Sequence, residues 1–128
     1  MLFNQTTNQK SRAFTLVEVM VVILIIGMLL AIAVPNLLKA RKATRLKTII
    51  ANLKQIDDAK SRCALEEGLR SGQTGRCSNN NLVTRQYLQK WPVGPIPGVY
   101  NARQIGQTPT FRGRDVDWWQ ARPNHNLL

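Results

Sequence analysis

A single carboxylate, Glu18, stands inside an otherwise apolar stretch running from Phe14 to Leu38 (FTLVEVMVVILIIGMLLAIAVPNLL). In such surroundings it must stay protonated or meet a positive partner. A charge near the start of a membrane helix is costly enough to imply a purpose. Cys63 and Cys77 allow one disulfide in an oxidising compartment; the other reading is a buried thiol at Cys63 and an unrelated Cys77. His125 is the only histidine, and no serine or cysteine arrangement offers it a nucleophile–base pair, so an enzyme has no support. Zinc-type Cys/His spacing and a glycine-rich phosphate loop are both missing, and neither a metal nor a cofactor is expected.

The element that carries Glu18 is a helix. Val19 to Val34 holds no strongly polar side chain. At about 1.5 Å per residue the stretch can cross a hydrocarbon layer roughly 30 Å thick. Mean hydropathy of the whole chain is only −0.20, because the rest is polar and has little material for a core. At 128 residues that leaves at most one small domain. The formal charge of +11, from 18 Lys+Arg against 7 Asp+Glu, permits lipid headgroups or nucleic acid as partners and names neither.

Beyond Pro35, which predicts a helix kink with loosening near residues 31–35, the apolar pattern becomes periodic. Ala43, Leu46, Ile49, Ile50, Leu53, Ile56 and Cys63 recur at three- and four-residue steps, one face of a helix. No acid occurs between Glu18 and Asp57, so Lys39, Arg41, Lys42, Arg45 and Lys47 form a basic collar just past the apolar run. Gly68 suits the end of this helix. The sixty residues that follow hold six glycines and five prolines, and read as loops and short strands. So small a unit has a marginal core and should pack on the Leu46–Cys63 face. Residues 79–91 form a helical candidate. Gly98–Ile105 and Thr108–Arg114, divided by Gly106-Gln107, read as an antiparallel hairpin. Trp118-Trp119 reads as a head or subunit-contact patch.

Residues 1–13 are polar, with Lys10 and Arg12 as their only charges, and resemble the start of an export signal. Ordinary signal cleavage would fall after Ala31-Ile32-Ala33, but the apolar run is longer than a usual signal core and carries Glu18. Lys-Ser-Arg-Ala-Phe-Thr-Leu-Val-Glu, followed by about twenty apolar residues, resembles the class III signal of type IV pilins and type II secretion pseudopilins. The resemblance continues through Pro35-Asn36 into residues 37–60. It implies that a prepilin peptidase cuts between Ala13 and Phe14 and then methylates the Phe14 amine. Glycine usually precedes that cut; Ala13 is the next smallest residue. By the same resemblance Glu18 is the assembly glutamate, paired with the Phe14 amine of a neighbouring subunit. Locally, Thr15-Leu-Val-Glu18 also fits a helix capping box, which is compatible with that role.

Many relatives carry a cysteine pair where Gly94 and Phe111 stand here. The resemblance makes Cys63 and Cys77 a replacement staple, and sets Asp115 and Asp117 against the calcium site of major pseudopilins. Two aspartates in a loop are more often simply solvated.

The expected fold is α+β and pilin-like. It has a leader (1–13), a transmembrane and assembly half-helix (14–38), an amphipathic extracytoplasmic half-helix (39–68) and a small head (69–128) with a short helix and a hairpin. The expected function is a structural pseudopilin of a type II secretion-type pseudopilus or related filament, anchored once in the bacterial inner membrane with its head in the periplasm. Its partners would be prepilin peptidase, itself and other pseudopilins, membrane lipids and, indirectly, an assembly platform protein and a motor ATPase. A flanking-charge count, two in the leader against five in the collar, opposes this orientation; the leader resemblance overrides it. The competing readings are a secreted basic binding protein cut after Ala33 and a DNA-uptake pseudopilin. A basic helix without stacking aromatics binds nucleic acid only non-specifically.

Overall fold

The computed structural model describes residues 14–123. The chain divides into two compact units, Met1–Leu37 and Leu38–Leu128. A helix of 52 residues, α1 (Leu16–Glu67), contributes to both. In the first unit no described residue covers α1. Its apolar side chains range from 48% exposed at Val34 to 75% at Leu16, and no residue of α1 before Leu46 is buried. Helix continues through Pro35 without a break, so the loosening expected near residues 31–35 does not interrupt it.

In the second unit α1 supplies one wall of the core. Leu46, Ile49, Leu53, Ile56, Ala59 and Cys63 are buried at three- and four-residue spacing. The periodic face read from the sequence is this wall, except that Ala43 is exposed and Ile50 lies at its margin. At the far end Gly68 takes φ +64°, and the Leu69 amide donates to the Ala64 carbonyl at 2.9 Å. That left-handed residue followed by a six-to-one bond is a Schellman stop, and glycine adopts it without steric penalty. Cys63 and Cys77 are joined 14 residues apart with Cα atoms 5.9 Å apart, tying the helix to the loop it releases.

The head contributes α2 (Asn79–Thr84), β1 (Tyr100–Asn101), β2 (Thr110–Phe111) and α3 (Val116–Ala121). The two strands pair antiparallel, Tyr100 opposite Phe111. Tyr100, Phe111 and Trp119 stack in sequence, with centroids 4.4 and 5.7 Å apart, and all three are buried. Each such ring contributes roughly 1.5–3 kcal/mol by leaving water. This aromatic column against the α1 wall is the core that sixty residues could not build alone.

Three expectations for the head are corrected. The helix expected over 79–91 stops at Thr84, because Gln86 is left-handed (φ 62°) and the Leu88 amide turns back to the Leu82 carbonyl. That turn buries Leu82 and Leu88 together, a tertiary gain that overrides local helical pattern. The hairpin is also shorter. Ile105 exchanges two backbone bonds of 2.9 Å with Gly72 and Gln73 instead of continuing the ladder, and Pro109 has no N–H to give. Finally, α3 is an added helix, and it makes Trp119 core rather than surface.

Gly94 lies against the Phe111 ring. A Cβ there would sit 2.8 Å from two ring carbons that Tyr100 and Trp119 prevent from yielding. Gly94→Ala is therefore expected to destabilise the head by about 1–3 kcal/mol, read as a lower urea midpoint of the detergent-solubilised chain by tryptophan fluorescence. Replacing Cys63 and Cys77 together by alanine should remove about 3 kcal/mol in the same titration.

Candidate functional site

The residues singled out for assembly lie at the start of α1. Phe14 is 80% exposed. Thr15 caps the helix: its Oγ1 accepts from the Glu18 amide at 3.3 Å, and its carbonyl accepts from the Val19 amide at 3.4 Å. This is the Thr15 half of a capping box, and it holds Glu18 in the first turn, where the helix dipole favours an acid. Glu18 makes no ion pair among the described residues. Ala13, the other side of the expected cut, lies outside the described residues, as does His125. The helix that carries Glu18 has a window of mean hydropathy 3.0, none of it buried, which meets the length and composition needed to cross a membrane.

The collar residues Lys39, Arg41, Lys42, Arg45 and Lys47 are all exposed. Further along, α1 turns from collar to clamp through residues that sequence reasoning passed over. Asn52 Nδ2 donates to the Tyr100 hydroxyl at 3.0 Å and to the Val93 carbonyl at 3.3 Å. Burial pushes the Tyr100 phenol up from its ordinary value, against the opposing bond from Asn52. Arg62 donates to the Tyr87 carbonyl at 3.2 Å, while the Tyr87 hydroxyl donates to Glu66. Glu67 holds Arg85 and, at 3.7 Å, Arg76.

Lys60 is the least expected of these. Its side chain is only 3% exposed on a face otherwise apolar, its ammonium donates to the Gln107 carbonyl, and Asp57 stands 3.8 Å away. Together with Asn79 Oδ1, which accepts from the Ala102 amide at 2.9 Å, it fastens the loop between β1 and β2. Burial holds Lys60 below the usual lysine range, partly offset by Asp57. No local pattern marks it; only the long-range return of the loop does.

Asp115 serves α3 as N-cap, its carboxylate accepting from the Trp118 amide at 2.9 Å. A cap of this kind gives the aspartate a structural task without a cation. Trp118 is half-buried, packed edge-on to Trp119 at 5.2 Å with the Arg114 guanidinium 4.0 Å above its ring. An aspartate three residues ahead of a tryptophan pair was the signal available for α3.

An exposed apolar helix with an acid in its capped first turn, followed by a small α+β head fastened to its second half, is a pilin-like fold. Residues 8–34 match the family described as the prokaryotic N-terminal methylation motif. The chain is 28% identical over 110 residues to the type II secretion system core protein G of Klebsiella pneumoniae, covering 77% of this chain and 79% of that protein. It is also 43% identical over 49 residues to the type IV major pilin protein PilA of Myxococcus xanthus, covering 38% of this chain and 22% of that protein. No solved structure gives a significant match. The chain thus carries a class III prepilin signal and is a homologue of pseudopilins and type IV pilins.

Lys60 gives the fold a distinct pH signature. Its folded value lies below the unfolded value of 10.5, so in the window just under 10.5 the unfolded chain binds more protons and stability rises with pH. Tyr100, shifted upward, acts oppositely above its ordinary value of 10.0. Comparison with Lys60→Met isolates the lysine. Urea midpoints of the wild type relative to that variant should climb as pH rises through this window; a flat difference would mean that Lys60 carries no burial penalty.

Proposed function

We propose that this chain is a structural subunit of a type II secretion-type pseudopilus or a closely related filament. Prepilin peptidase cuts between Ala13 and Phe14 and methylates the new amine. Residues 14–38 then anchor the subunit in the bacterial inner membrane, with residues 39–123 on the extracytoplasmic side. A platform protein and a motor ATPase would lift it from the bilayer into the growing fibre.

The observation that carries this reading is the bare apolar surface of α1 from Leu16 to Leu38. Such a surface is stable against lipid tails or against copies of itself, not against water. Passing from one to the other costs little hydrophobic energy, which is what reversible extraction requires. Glu18 then sets the register. An uncompensated carboxylate among packed apolar helices is strongly unfavourable, and the Phe14 amine of a neighbour supplies the compensating charge. Pro35, lacking an N–H, is where the helix can loosen as neighbours pack. Cleavage after Ala33 is not favoured, since it would cut within continuous helix and discard the segment matching the methylation motif.

Loss of a buried partner charge costs about 3–5 kcal/mol. Glu18→Ala is therefore expected to lower the amount recovered in sheared fibres at least about a hundredfold, with membrane-bound subunit unchanged on immunoblots. Fibre recovery equal to wild type would overturn the register role.

A further inference from the structure

Resting on the membrane-anchored reading above, we propose that the groove at the start of the second unit is a binding site for the headgroup of an anionic phospholipid. The groove has a volume of about 400 Å³ and combines two kinds of lining. Lys39, Lys42 and Lys47 are its cationic side chains; Leu38, Leu46 and Pro123 are apolar, with Ala43 between them. Positions 39, 42, 43, 46 and 47 are three and four residues apart, so they share one face of α1. Pro123 comes from beyond α3, so the groove exists only when the head is folded onto the helix.

Charge identifies the ligand's sign. None of the three lysines makes an ion pair or hydrogen bond among the described residues, and no acid occurs in the chain from residue 19 to 56. Three neighbouring ammonium groups with no internal counter-charge repel one another, and a shared anion relieves that repulsion. Two further facts select a phospholipid. Leu38 lies just past Val34, where the run without strongly polar side chains ends on a helix whose apolar window has mean hydropathy 3.0, and this puts the groove at headgroup depth along the helix. An apolar lining beside the lysines suits the glycerol and first methylenes below a phosphate. Nucleic acid would want an aromatic platform, and none lines the groove.

This occupant also answers the orientation conflict. Five basic residues beyond the apolar run oppose the usual charge bias when that end is extracytoplasmic. An anionic lipid of the outer leaflet gives them a partner there. The lipid must be shed when the subunit leaves the bilayer, so the groove would couple extraction to the local lipid.

The test uses the full chain, purified in a neutral detergent and supplied with phosphatidylglycerol or phosphatidylcholine of identical acyl chains, with adducts read by native mass spectrometry. Wild type should retain phosphatidylglycerol in clear excess. Replacing Lys39, Lys42 and Lys47 together by glutamine should lower that retention at least about tenfold, to the phosphatidylcholine level. Replacing the exposed Lys54, Arg70 and Lys90 by glutamine changes net charge equally and should leave it within about twofold. Ala43→Glu places an anion inside the groove at an exposed helical position and should mimic the triple variant while changing net charge by one. Equal retention of the two lipids by wild type would overturn the proposal. So would a loss in the charge-matched control as large as in the triple variant, or a triple variant that loses self-association instead of lipid, which would assign the groove to a second copy. A chain that fails to enter bilayers at all would overturn the subunit reading first, and this inference with it.

Discussion

The structure depends on one constraint: a long run of apolar side chains has no partner among the described residues of its own chain. From Phe14 to Leu38 the large apolar residues stay between about half and four-fifths exposed. At about 25 cal/mol per Å² of apolar surface left in water, no fold this small could tolerate that cost in solution. Lipid or other copies are the covering that the proposed function supplies. Among the described residues the core of the head draws on residues from Leu46 onward.

That division explains how one helix serves two environments. Before Pro35 its surface is apolar apart from Glu18 and its cap Thr15, which suits lipid and like helices equally. After Pro35 the surface is two-faced. The basic collar comes first along the helix, and from Leu46 onward one face is the wall on which Tyr100, Phe111 and Trp119 are stacked. The ties are spread along the wall: Asn52 to Tyr100, Lys60 to Gln107, Arg62 to Tyr87, and the Cys63–Cys77 bridge at its end. A head fastened at several heights resists peeling better than one held at a point.

Much of this was legible in the chain because it is set locally. Apolar length marks the membrane segment, the three- and four-residue spacing marks the wall, Gly68 marks the stop, and the Thr15-to-Glu18 spacing marks the cap. The head was less legible because its determinants are long-range. Nothing near Lys60 says that a loop 47 residues later will cover it. Residues 85–91 keep a helical pattern that Arg62 and the joint burial of Leu82 and Leu88 defeat. The strands shortened because Ile105 found partners in Gly72 and Gln73, a pairing no hairpin rule contains. Trp119 belongs to the core because Phe111 is there to meet it, and Gly94 is small because that ring occupies its side-chain space.

The account stands on the apolar helix remaining part of the working protein. The most direct measurement is the mass and N-terminal sequence of the mature chain isolated from membranes of its native host. The account predicts a chain beginning at Phe14 and carrying one methyl group on its amine. A mature chain beginning at Val34, with the apolar segment discarded, would contradict it.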